Sequence, residues 1–123
     1  MLKKILVIDD EPELVKAATV RLQASGYEVI SAYDGQEGIG KAKEGKPDLI
    51  LLDIIMPKKD GYEVCKNLKS NPKTRDIPII IFTASGQEGL EKKCMAIGAS
   101  AMIRKPFETA ELLELVDKLL RGD

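Results

Sequence analysis

Five short apolar runs, Ile5–Ile8, Val29–Ala32, Leu49–Leu52, Ile79–Phe82 and Ala101–Ile103, recur along the chain with helix-like segments between them. Most are continuous Ile, Val or Leu, which suits strands buried on both faces of a parallel sheet better than half-exposed strands. Helical spacing fills the gaps. Leu14, Ala18 and Leu22 share a face, as do Val64, Cys65 and Leu68, and then Leu112, Val116 and Leu119. Gly26 and Gly98 stand where a left-handed residue would end the first and fourth helices. The alternation reads as βα five times over. It predicts an α/β fold, a doubly wound five-stranded parallel sheet with helices on both faces and right-handed crossovers. At 123 residues, a single domain over 1–123 is expected. The second helical segment, DGQEGIGKAKEG, carries Gly38 and Gly40. Each costs about 1 kcal/mol relative to alanine, so this helix is expected to be comparatively mobile.

In such a sheet, ligands bind beyond the carboxyl ends of the strands, where strand order reverses. The residues at those ends are unusual. The first strand runs into Asp9 and Asp10, the third ends in Asp53, the fourth in Thr83 and the fifth in Lys105. One strand-end aspartate can be a helix cap, but three carboxylates, a hydroxyl and an ammonium on one edge form a pattern. Like charges at about 4 Å and an effective dielectric of about 20 repel by about 4 kcal/mol per pair. Either some protonate or a cation compensates. Lys105 is one positive charge, and a hard divalent ion is the natural remainder. Few protein ligands favour magnesium over calcium, and no calcium-loop spacing is present. A carboxylate beside magnesium, a lysine and a hydroxyl suits phosphoryl transfer, with the aspartate as nucleophile. Asp53, on the central strand, is the best placed.

Other classes fall away. The formal net charge of -1 offers no bulk attraction to nucleic acid or a membrane surface. No apolar run approaches a membrane span, and the N-terminal apolar run is too short for a signal peptide, so a cytoplasmic location is expected. Cys65 and Cys94 make neither a disulfide framework nor a metal site and read as small buried residues. Histidine is absent, which excludes Ser-His-Asp and Cys-His catalysis and a phosphohistidine on this chain.

Taken together, these residues resemble the receiver domain of bacterial two-component response regulators, typified by the chemotaxis regulator. ILVIDDEP resembles the acidic-pair motif, PDLILLDIIMPKKDGYE the phosphoacceptor motif, IPIIIFTAS the switch-threonine motif and GASAMIRKPF the lysine motif. The similarity spans essentially the whole chain and implies a flavodoxin-like (βα)5 fold. It implies that Asp53 accepts phosphate from a phosphohistidine on a sensor histidine kinase or histidine phosphotransfer protein. Asp10 and Asp53 would bind Mg2+ directly, Asp9 through water, and the Ile55 backbone carbonyl would be a further ligand. Thr83 and Lys105 would close on the phosphoryl group. Lys105–Pro106 matches the family's cis peptide, and Pro57 and Gly61 would shape the loop after Asp53, where glycine tolerates unusual dihedrals. The chain would act as a regulatory switch, not an enzyme on a separate substrate. A downstream protein target or output domain would read it without direct nucleic-acid contact. The residues fit both a stand-alone regulator and the receiver portion of a longer one.

Several positions depart from the family pattern. Met102 stands where most receivers carry a Tyr or Phe that moves with the switch threonine. It can fill the gap but has no hydroxyl or rigid ring, which puts output coupling in doubt. Ile55 and Ser85 lie two residues after Asp53 and Thr83, where polar groups can orient an attacking water. Isoleucine cannot do so, and slow self-dephosphorylation is expected. Leu112, Leu113, Leu115, Val116, Leu119 and Leu120 form a stripe broader than one core-facing face needs. A homodimer through the fourth-helix to fifth-helix face is a matching expectation. Lys58 and Lys59 read as solvated loop charges. An aspartyl-phosphate phosphatase would carry an aspartate-x-aspartate pattern after the first strand, with its nucleophile there and a cap domain, and a nucleotide or flavin binder would need a glycine-rich loop there. Neither is present. The rival within the family is a pseudo-receiver that only binds partners.

Overall fold

The computed structural model describes residues 2–56, 60–84 and 86–122. Pro57, Lys58, Lys59 and Ser85, to which the sequence assigns loop and water-orienting roles, lie outside the described residues. The elements alternate as expected: β1 (Lys4–Ile8), α1 (Pro12–Ala24), β2 (Glu28–Ala32), α2 (Gly35–Gly45), β3 (Leu49–Asp53), then α3 (Gly61–Ser70), β4 (Ile79–Thr83), α4 (Glu88–Ala96), β5 (Ala101–Arg104) and α5 (Thr109–Arg121). All strand pairs are parallel, in the order β2-β1-β3-β4-β5. Order reverses between β1 and β3, so a cleft opens beyond their carboxyl ends.

The apolar runs are continuous because both faces of the sheet are covered. Leu6, Ile8, Ile50, Leu52, Ile79 and Ile81 pack with residues of α2, α3 and α4. Their sequence neighbours Ile5, Val7, Leu49, Leu51, Ile80 and Phe82 pack with α1 and α5. That alternation is the period-2 pleat, and it assigns every strand-end residue a side. All six residues of the α5 apolar stripe pack in or against the α1–α5 core. Leu115 also lines a groove beside Met102. Cys65 and Cys94 are free and buried, as expected.

Two glycines have steric reasons the sequence does not reveal. A Cβ on Gly38 would come within 2.6 Å of the Ile8 side chain, so glycine there lets α2 lie close against β1. What reads as a weak point in helix propensity is a packing requirement. Gly61 was expected to supply unusual dihedrals. Its φ is not among the positive values, and its role is space: a Cβ would stand 2.3 Å from Ile54 Cα. Its N–H donates to the Ile54 carbonyl at 3.0 Å, which ties the start of α3 to the end of β3. Gly26 and Gly98 do take left-handed φ, as expected of helix stops. Asp34 and Asp60 cap α2 and α3 by accepting the Glu37 and Glu63 N–H groups.

Candidate functional site

Asp9 follows β1 and stays within the sheet, its N–H donating to the Ala32 carbonyl at 3.1 Å. It is fully buried. Its Oδ1 accepts the Glu11 N–H at 3.0 Å, and its Oδ2 accepts Lys105 Nζ at 3.2 Å. Asp53 ends β3 with 5% exposure. Its Oδ1 accepts the Ile55 N–H at 3.0 Å, while Oδ2 faces Lys105 Nζ at 3.4 Å. Two contacts thus orient each carboxylate before any ligand arrives. Asp10 is half-buried beside them, and carboxylate oxygens of Asp9, Asp10 and Asp53 lie within 4.8 Å of one another.

Lys105 reaches this cluster from just beyond β5, across β4. Its N–H donates to the Thr83 carbonyl at 2.7 Å, its Nζ lies 5.8 Å from the centre of the Phe82 ring, and its peptide bond to Pro106 is cis. Glu11 adds a carboxylate 3.6 Å from the same ammonium. Burial works against the Lys105 charge, yet Asp53, Asp9 and Glu11 outweigh it and hold its pKa above the ordinary lysine value. Burial also pushes Asp9 up from 3.8 to about 6. The Asp53 charge adds to that rise, and the Glu11 N–H and Lys105 oppose it. Three carboxylates against one ammonium leave the cleft negative. All the donors are hard oxygens, so the set fits a magnesium ion.

Thr83 is the exception to the expected convergence. Its hydroxyl points to the other side of the sheet and donates to Glu91 Oε2 at 2.6 Å. Glu91 is a buried residue of α4, and its Oε1 accepts Arg104 from β5 at 3.1 Å. The structure therefore brings Asp9, Asp10, Asp53 and Lys105 together and directs the Thr83 hydroxyl to Glu91. Met102 is exposed, and it shares with Arg104 and Met95 an α4–β5 groove of about 590 Å³. Ile55 is half-exposed beside Asp53. Sequence reasoning missed Glu11, Glu91 and Arg104. A signal for Glu91 exists, since it lies three residues before the buried Cys94, on the core-facing stripe where an acid is out of place.

A 2-1-3-4-5 parallel sheet with its charge gathered at the switch point defines a flavodoxin-like α/β domain. Comparison with known proteins narrows that class. The family profile of the response regulator receiver domain matches residues 5–117, and the chain belongs to this family. It is 40% identical over 118 residues to the DNA-binding dual master transcriptional regulator RpaA of Synechocystis, covering 96% of this chain and 49% of that protein. It is 43% identical over 121 residues to the alkaline phosphatase synthesis transcriptional regulatory protein PhoP of Bacillus subtilis, covering 98% and 50%. The chain spans about half the length of these curated relatives. Among solved structures, the receiver domain of the sensor histidine kinase PA1611 from Pseudomonas aeruginosa superposes with a TM-score of 0.90 at 28% identity, covering all of both chains. That protein has a magnesium ion coordinated in its active-site cleft. Receiver domains are the phosphoryl-accepting switches of two-component signalling, and this chain is one.

Proposed function

We propose that Asp53 is the phosphoacceptor. A lone pair of its carboxylate attacks the phosphorus of a phosphohistidine on a partner kinase or phosphotransfer protein. The P–N bond breaks, and the imidazole leaves with the electron pair. One observation carries this assignment: Asp53 is nearly buried, with one oxygen pinned by the Ile55 N–H and the other facing the Lys105 ammonium. Lys105 is thereby stationed to take up negative charge from the transferred group. Asp10, Asp53 and the Ile55 carbonyl would hold Mg2+ directly and Asp9 through water. Bound magnesium would supply further positive charge for the phosphoryl oxygens. Thr83 would leave Glu91 to donate to the phosphoryl group.

The domain is a regulatory switch that catalyses only its own phosphorylation and dephosphorylation, and it works in the cytoplasm. No helix among the described residues is long and apolar enough to cross a membrane. A protein target or output domain reads the surface around α4, β5 and α5, and a second copy of the chain is a candidate for the same face. This domain itself makes no nucleic-acid contact, since its formal charge is -1. DNA binding in RpaA belongs to a protein about twice as long. The test is intact mass after incubation with magnesium and acetyl phosphate, on wild type and Asp53→Ala. A gain of one phosphoryl mass in wild type alone is expected. No gain in folded wild type, even with rapid quenching, would instead make the chain a pseudo-receiver.

A further inference from the structure

Glu91 stands in the first turn of α4, where an acid is ordinarily explained by the helix dipole and sits in solvent. Here it is 3% exposed. Its two oxygens are divided between two strands. Oε2 takes the Thr83 hydroxyl at 2.6 Å, the length of a charge-assisted O–H···O bond, and Oε1 takes Arg104 at 3.1 Å. Thr83 and Arg104 are register partners on β4 and β5, so both side chains leave the sheet on the same face. A single carboxylate from α4 spans them. A buried carboxylate is stable only while its partners stay in place, so it senses the loss of either.

We propose that Glu91 is a positioning residue. It holds the Thr83 hydroxyl away from Asp53 in the unphosphorylated protein and, through Arg104, passes that hydroxyl's departure to the α4–β5 groove. It rests on Asp53 being the phosphoacceptor. A threonine hydroxyl carries one proton, donated either to Glu91 or to a phosphoryl oxygen, not to both. Asp53 pairs with Phe82 in register, which puts Thr83 one residue further along the adjacent strand. Once the proton turns to the phosphoryl group, Glu91 keeps Arg104 alone. The Arg104 side chain is half-exposed and lines the groove with Met95 and Met102. Drawing its guanidinium over the carboxylate changes the groove's charge and outline. No aromatic ring takes part in this link, so it does not depend on the residue at position 102. Because the Thr83–Glu91 bond is made only at rest, Glu91 opposes phosphorylation.

The experiment measures the rate of phosphorylation by acetyl phosphate with magnesium, followed by intact mass. It uses wild type, Glu91→Leu and Glu91→Gln, each also in a Thr83→Val background. Glu91→Leu is expected to accept phosphate about tenfold faster than wild type, the scale of one hydrogen bond to a charged group. Glu91→Gln, which keeps a neutral acceptor, should fall between. Both differences should vanish in Thr83→Val, where no hydroxyl remains to be held. Damage to the fold would slow the reaction and would persist without the hydroxyl. Glu91 variants no faster than a wild type that does take up phosphate would overturn the proposal, as would an acceleration that survives Thr83→Val. If Glu91→Leu fails to fold, Glu91→Gln decides by the same criteria. A wild type that accepts no phosphate overturns the assignment of Asp53, and this proposal with it.

Discussion

Replacing Asp53 by asparagine should stabilise the metal-free protein, even though it removes a partner of Lys105. Carboxylate oxygens of Asp9, Asp10 and Asp53 lie within 4.8 Å of one another, and Lys105 Nζ is 3.4 Å from Asp53. Neutralising Asp53 deletes its repulsion with Asp9 and with Asp10 and its attraction to Lys105, a net relief of about one charge pair. At about 5 Å and an effective dielectric of about 20, such a pair is worth about 3 kcal/mol. Asp10 and Lys105 are only partly buried, so screening reduces the gain to about 1 kcal/mol. For a domain of this length that raises Tm by about 4 °C. The assay is thermal unfolding followed by circular dichroism in a chelator near neutral pH.

The same experiment carries a pH control. Asp9 is raised from 3.8 to about 6, by burial first and with a contribution from the Asp53 charge. A folded-state value above the unfolded one means that the folded protein holds the proton more tightly. The Asp9 contribution is therefore fully stabilising below about 3.8 and is lost as pH rises through about 6. Wild type should lose this stability across that window. Asp53→Asn should lose less, so its advantage should be greater near neutrality than in mild acid. Magnesium should reverse the ranking by raising the Tm of wild type more than that of the variant. An Asp53→Asn protein melting at or below wild type in chelator at neutral pH would refute the idea that the empty cleft is electrostatically compressed.

Lys105→Met should lower stability by about 2 kcal/mol, because fully buried Asp9 loses its ammonium partner. Thermal unfolding measures this, and carboxyl NMR titration should show Asp9 rising further. Gly61→Ala forces a Cβ against the Ile54 backbone and should cost about 2 kcal/mol in urea unfolding. Gly40→Ala meets open space within a helix and should stabilise by up to about 1 kcal/mol in the same assay. Once phosphorylation is established, Ile55→Asn should shorten the lifetime of the acyl phosphate, followed by mass after the donor is removed. An unchanged lifetime would sink the idea that isoleucine withholds an attacking water.

The sheet and its acidic edge are legible in sequence for a common reason. A strand covered on both faces must be apolar throughout, so the residue where the run breaks marks the carboxyl end. Asp9, Asp53 and Thr83 stand at such breaks, and Lys105 comes one residue after the break at Arg104. Legibility fails where a residue's meaning depends on a partner far along the chain. Spacing from Cys94 marks Glu91 as an acid out of place, but its partners stay hidden until β4 and β5 set Thr83 and Arg104 side by side against it. Gly61 reads as a dihedral requirement because sequence shows the loop but not the proximity of Ile54 Cα. The orientation of the Thr83 hydroxyl depends on an acceptor eight residues further along the chain, and only the packed structure shows that Glu91 holds it.

β5 is one of the two border strands of the sheet, only four residues long, and it passes directly into Lys105 and Pro106. Unpaired strand borders are templates on which further chains can add. Here the border is short, ends in two consecutive cations and is closed by a residue with no N–H to offer. The dipeptide Arg104–Lys105, which faces the groove on one side and the acidic cleft on the other, therefore also discourages ribbon-like self-assembly. Neutralising both positions should increase precipitation on storage at high concentration beyond what Lys105→Met alone produces.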